Sequence, residues 1–254
     1  MRVISQAEYC HERLGDDFET ALSDYDTTRR VEVLVEDFLV GAAKPGTKAL
    51  DVGCGLGYFS ESLHKRGVDV LACDLGANLV EQTRSRVGCN AVIADALNLV
   101  AQFGAGQFDL VVSSECIEHT PEPPAAVKQM AGVLKEGGLI SISTPNVVWL
   151  PVVRAATRMK LRPFDGYENF SSWKSLRQTL DDCGIEIIRE YGLHPIPFQF
   201  RLHRCSRLLE RYSQSLRACM INICILGRKR FEAGNAVISD NTSNENTNAQ
   251  NRVA

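Results

Sequence analysis

Between about residue 46 and residue 143, short apolar runs rich in β-branched residues alternate with stretches of helical period. The runs Lys48–Val52, Val68–Cys73, Ala91–Ala94, Phe108–Ser113 and Leu139–Ser143 are nearly continuous in apolar character, as strands covered on both faces must be. Tyr58–Lys65, Asn78–Arg86 and Pro124–Leu134 fill the gaps with helical spacing, and Gly137-Gly138 is placed to stop the last of them. This alternation predicts an α/β fold, a single doubly wound sheet with helices on both faces. Ahead of it, Val31, Leu34, Val35, Phe38 and Leu39 recur at helical spacing, which predicts an amphipathic helix over Thr28–Val40 covering a sheet edge. Later, Ser172 reads as the N-cap of a helix with Trp173, Leu176 and Leu180 on one face, ended by Gly184. Ile185–Ile188 and Met220–Leu226 read as two further strands, with a helix through Leu202, Cys205, Leu209 and Tyr212 between them. The organisation that follows is a helical cap over 1–45, a domain over 46–230 with a lid insert at 147–170, and a disordered tail over 231–254. From Ala233 the tail has six asparagines and no aromatic residue.

Charge changes this picture in one respect. The chain carries −3 overall, but residues 1–150 hold 12 basic and 21 acidic side chains while 151–254 hold 16 and 10. The simplest meaning is a solvated basic face late in the chain; the sharper one is an anionic partner. Val147–Pro163 concentrates it, apolar first and then carrying Arg154, Arg158, Lys160 and Arg162 with no acid. The nine cysteines form no CxxC pair and several lie in apolar runs, which predicts reduced thiols and a cytoplasmic setting. No signal-peptide pattern opens the sequence, and no apolar run is long enough to span a bilayer. Aromatic and basic residues are not interleaved along one stripe, so a nucleic-acid partner is not expected.

The sharpest motif is Ala49-Leu-Asp-Val-Gly-Cys-Gly-Leu-Gly-Tyr-Phe59, with Gly53, Gly55 and Gly57 at the turn from first strand to first helix. Glycines there let a ligand approach the backbone, and the helix N-terminus offers N–H groups to an anion. A dinucleotide fingerprint would need its third glycine where Tyr58 stands, and no Gly-Lys-Ser/Thr follows, so a carboxylate-bearing ligand fits better than a pyrophosphate. Asp74, ending the second strand, is placed to accept from both hydroxyls of a ribose. Asp95, after the third, could meet the exocyclic amino group of adenine. Asp51 could hold an ammonium directly or through water. Each acid alone is more often a turn or cap residue, but they stand at successive strand ends, where open α/β sheets bind ligands.

Ser113-Ser-Glu-Cys-Ile-Glu-His119 follows the fourth strand. If 115–119 form a helical turn, Glu115, Glu118 and His119 share one face. His119 could then take a hydroxyl proton as general base, or the three could bind a divalent cation that acidifies the hydroxyl. The plainer alternative is that His119 and Glu118 only cap the following segment.

Together the DVGCGLG loop, the CDLG and IADA acids, and the FDLVVSSECIEHTPEP and LKEGGLISISTPN segments resemble the class I S-adenosylmethionine-dependent methyltransferases over about residues 25–230. The resemblance implies a Rossmann-like sheet of seven strands in the order 3-2-1-4-5-7-6, the seventh antiparallel. It also implies S-adenosylmethionine as cofactor, contacted by Arg30, Asp51, Gly53, Gly55, Asp74, Leu75, Asp95, Ala96 and Ser114. The Glu115–His119 segment is similar to that of the ubiquinone-biosynthesis O-methyltransferases, where it can hold magnesium, and to that of small-RNA 2′-O-methyltransferases. In the latter a further histidine completes the metal site; here Asp165 or Glu168 stands in that region. Trp149-Leu150 and Arg158-Met159 continue the likeness to the quinone group, whose insert covers the active site and touches membrane lipid. The expectation is thus O-methylation of a small or lipid-linked acceptor, a quinone-precursor phenol or a sugar, with His119 and Glu115 catalytic. Glu115, Glu118 and His119 are the candidate Mg2+ ligands, and 147–163 is a candidate peripheral membrane contact. The competing readings are a nicotinamide-dependent oxidoreductase and a non-catalytic cofactor-binding scaffold.

Overall fold

The structure, a computed structural model, describes residues 24–159, 167–197 and 202–231. Most of the expected cap and tail, and Asp165 of the insert, lie outside the described residues. The strands are β1 (Lys48–Val52), β2 (Asp69–Asp74), β3 (Asn90–Ile93), β4 (Phe108–Ser114), β5 (Leu134–Pro145), β6 (Ile185–Leu193) and β7 (Asn222–Lys229). They form one sheet in the order β3-β2-β1-β4-β5-β7-β6, parallel from β1 to β5, with β7 antiparallel to both its neighbours. Winding reverses between β1 and β4, so the C-terminal ends of these two strands flank a crevice.

Nine helices are described: α1 (Asp24–Val31), α2 (Tyr58–His64), α3 (Ala77–Val87), α4 (Leu99–Phe103), α5 (Pro123–Val133), α6 (Leu150–Arg158), α7 (Trp173–Asp182), α8 (His203–Glu210) and α9 (Ser213–Leu216). Strand side chains alternate between two cores. Leu50, Val52, Val111, Ile140 and Ile142 pack against α4, α5 and α7, whereas Ala49, Ala72, Leu110 and Val112 face α2, α3 and the segment after α1. Pro123 opens α5, where its missing N–H costs nothing. At α7 the expected Ser172 cap is a full capping box with Ser175.

Three expectations are corrected. The helix over Thr28–Val40 lies across a sheet face, not along an edge. α1 runs into a π-helical turn, Glu32–Asp37, whose wider winding buries Val33, Leu34 and Val35 in succession, and Ser141 Oγ of β5 donates to the Leu34 carbonyl at 2.8 Å. Gly137-Gly138 does not stop α5, which ends at Val133; both glycines lie inside β5. A Cβ on Gly138 would sit 2.9 Å from the Lys135 carbonyl and 3.1 Å from that of Asp109, so the strand crosses there only as glycine. α8 forms where expected, but its apolar stripe faces outward while Ser206 and Glu210 are buried. Glu210 turns the helix, because it pairs with Arg29 of α1 at 2.7 Å.

The eight described cysteines are free thiols. Among the described residues no helix is long and apolar enough to cross a membrane.

Candidate functional site

After β1 the chain turns through Gly53, Gly55 and Gly57, all at positive φ, into α2. Gly53 N and Cys54 N both donate to the Cys73 carbonyl, at 2.9 and 3.0 Å, which stitches the loop to the end of β2. A Cβ on Gly53 would stand 2.6 Å from Cys116 Sγ, so the loop meets the segment after β4 only because this residue is glycine. Asp74 accepts the Gly55 and Gly76 N–H groups on its two oxygens, each at 3.0 Å. Those bonds fix its carboxylate at the lip of the crevice, next to half-buried Leu75. Asp51 lies beneath the loop, accepting from Ser60 Oγ at 2.6 Å, and burial lifts its pKa to about 6 against that hydrogen bond. Asp95 is exposed and caps its own turn by accepting from Leu97 N, with Ala96 buried beside it.

Arg30 reaches the same edge from α1. Its Nη1 donates to Ser114 Oγ at 3.0 Å and its Nη2 to Asp26 at 2.7 Å, but its buried Nε has no partner. An orphaned guanidinium N–H is costly, and an arriving carboxylate would satisfy it. The amino-acid end of S-adenosylmethionine has that chemistry, so these residues fit the cofactor. α1 itself is clamped down: Asp26 lies 2.8 Å from His194 Nε2, and fully buried His194 adopts φ +58. Burial would raise the Asp26 pKa, but Arg30 and His194 outweigh it and carry it down to about 2. Sequence reading missed Asp26 and Asn222; no local pattern links these distant positions.

The expected shared face of Glu115, Glu118 and His119 does not form. Glu115 adopts φ +52, and the helical turn begins only at Ile117. The Glu115 carboxylate turns toward β5 and β7, accepting from Ser143 Oγ and Asn222 Nδ2 at 2.8 Å each. Burial, then the Glu118 charge, push its pKa to about 7 against the pull of Arg30. Buried Glu118 accepts from Thr144 Oγ1 at 3.2 Å. The His119 Nδ1 lies 3.0 Å from the Tyr167 carbonyl, and its Nε2 is 3.8 Å from Glu118. Among the described residues no three His, Cys, Asp or Glu side chains converge to hold a metal. Glu168 instead lines a cavity of about 550 Å³ with Ile117, Glu122, Leu150, Arg154 and Phe170, between the catalytic segment and the insert.

Comparison with known proteins agrees with this geometry. Residues 50–142 match a family model described as a methyltransferase domain. The chain is 33% identical over 178 residues to a ubiquinone biosynthesis O-methyltransferase of Xanthomonas axonopodis pv. citri, covering 66% of this chain and 74% of that one. It is 30% identical over 163 residues to the protein of the same name from Acinetobacter baylyi, covering 60% of this chain and 68% of that one. A putative sarcosine dimethylglycine methyltransferase from Galdieria sulphuraria superposes with a TM-score of 0.60 at 17% identity, over 80% of this chain and 86% of that one; this likeness concerns the fold alone.

Proposed function

The chain belongs to the S-adenosylmethionine-dependent methyltransferases, and on that premise we propose that it O-methylates a hydroxyl on a small or lipid-linked molecule, a quinone-precursor phenol or a sugar. The observation that carries this reading is the setting of the His119 ring. The Tyr167 carbonyl can only accept, so Nδ1 bears the proton and the neutral ring carries its lone pair on Nε2. Glu118, 3.8 Å from Nε2, steadies the imidazolium that forms when His119 takes a hydroxyl proton. Relatives named for ubiquinone biosynthesis support the phenol among the candidate acceptors.

S-adenosylmethionine, when bound, supplies a methyl group on a sulfonium that is its own leaving group. The chain's residues supply alignment, which is worth up to about 7–11 kcal/mol when two reactants are held in line. Asp74 takes the ribose hydroxyls, Asp95 the adenine amino group, and Arg30 Nε the carboxylate. Gly53, Gly55, Leu75, Ala96 and Ser114 form the walls, and Asp51 acts on the ammonium through water from beneath the loop. Glu115 anchors the catalytic segment to β5 and β7. In the lipid-linked form of the reading, the insert at 147–163 touches a membrane; exposed Val148, Val152, Arg154 and Arg158 support that contact. The test is incubation with methyl-labelled S-adenosylmethionine and fractionated host extract. Label on an oxygen of a small or lipid-extractable product supports the reading; label only on nitrogen, RNA or protein refutes it.

A further inference from the structure

His194 follows the last residue of β6 and stands immediately before Pro195, a place where the backbone is pushed toward extended conformations. It adopts φ +58 instead, and it is fully buried. Left-handed backbone is strained for a residue with a Cβ, and such strain persists where the surroundings impose it, often at functional sites. The Ile221 N–H, donating to the His194 carbonyl at 3.0 Å, holds the turn. Its effect is to bring the imidazole against α1. The ring lies 5.7 Å from that of Tyr25 between centroids, with Nε2 2.8 Å from Asp26 and Nδ1 3.8 Å from Glu210 of α8.

Attachment of α1 does not explain this arrangement. The helix and the turn after it are already fastened to α8 by the Arg29–Glu210 and Glu32–Arg207 pairs, and that turn buries Val33, Leu34 and Val35. What His194 adds concerns Asp26. A carboxylate on a short side chain turns easily about its last torsion, which has no sharp rotamer wells. With Oδ1 held by His194, Oδ2 faces Arg30 and accepts from its Nη2 at 2.7 Å. Nη1 of the same guanidinium donates to Ser114 Oγ at 3.0 Å. A planar fork fixed at both terminal nitrogens leaves Nε, buried and without a partner, as its one unengaged donor group.

We propose that His194 is a positioning residue for the cofactor: by fixing Asp26 it sets the plane of the Arg30 guanidinium, so that Nε meets the carboxylate of S-adenosylmethionine. The inference rests on the carboxylate contact assigned to Arg30 above, and deepens it. It also accounts for the backbone of His194. An extended residue before Pro195 would carry its ring elsewhere, and Asp26 would lose the partner that holds its outer oxygen in place.

Calorimetric binding of two ligands to the full chain, S-adenosylmethionine and methylthioadenosine, tests this without acceptor or turnover. The result therefore stands apart from that of the methylation assay. Methylthioadenosine keeps the nucleoside and the sulfur but lacks the amino-acid end. H194F removes the donor while filling its space, and H194M does so should the larger ring prevent folding. Either should weaken S-adenosylmethionine about tenfold, as loss of one charge-assisted hydrogen bond does, and leave methylthioadenosine unchanged. H194Q, whose amide nitrogen reaches the place of Nε2, should recover most of the loss. D26N should show the same selective weakening, and D26N/H194F no more than D26N alone, because His194 acts only through Asp26. R30M checks the premise: if it leaves S-adenosylmethionine binding intact, the carboxylate contact is wrong and the inference falls with it. If R30M weakens binding but H194F and H194M do not, or if they weaken both ligands alike, His194 only supports the fold and the proposal is overturned.

Discussion

Replacing Glu115 by Gln isolates one buried ionisation. The carboxyl is partly enclosed, and its pKa stands at about 7 against the ordinary 4.5, raised by burial first and by Glu118 second. Because the folded-state value is the higher one, folding takes up a proton between these two pH values. The protonated group contributes no penalty below pH 4.5; above it, stability falls as pH rises and levels off once pH passes about 7. At about 1.4 kcal/mol per pKa unit the loss totals about 3 kcal/mol, most of it between pH 5 and pH 7. Gln keeps the shape and removes the titration. Its amide can accept from Ser143 Oγ and, if the Asn222 amide turns over, donate to Asn222 Oδ1, a buried acceptor with no partner. Urea unfolding of both proteins from pH 5 to pH 8 reads the effect as a difference. Asp51, also raised by burial, to about 6, titrates in both proteins and cancels. The wild type should lose about 2–3 kcal/mol more than E115Q across that range. Parallel curves would mean that Glu115 ionises as if solvated, and the enclosed setting assigned to it would be wrong.

Three other outcomes are expected. Asp74→Asn should weaken S-adenosylmethionine binding roughly ten- to hundredfold, since a charged acceptor becomes a neutral one; an unchanged dissociation constant in calorimetry removes the ribose role. His119→Ala should lower kcat by about 10²–10⁴-fold and leave cofactor affinity alone, and retained turnover would eliminate it as base. Asp26, held at about 2, contributes about 2 kcal/mol that is present above pH 3.8 and lost as pH falls through 2, so acid unfolding of wild type and D26N should converge there.

What could be read from the sequence, and what could not, divides along the range of the forces involved. Strands β1, β2 and β4 announce themselves because both faces of each are buried, and the glycine loop and Asp74 do so because their chemistry is local to one strand–turn–helix unit. Everything misread depends on partners far along the chain. β5 starts before its glycines because Leu134 already pairs with Phe108 across the sheet. Glu115 leaves the helical turn for Ser143 and Asn222, the latter 107 residues away. α8 shows the competition most plainly. Its hydrophobic pattern asks for Leu208 and Leu209 to face inward, and leaving them about half exposed forfeits about 1 kcal/mol each. Rotating the helix to bury them would pull Glu210, only 2% exposed, away from Arg29, 181 residues distant, and breaking such a buried pair costs about 3–5 kcal/mol. The ion pair wins, and Leu208 and Leu209 stay outside.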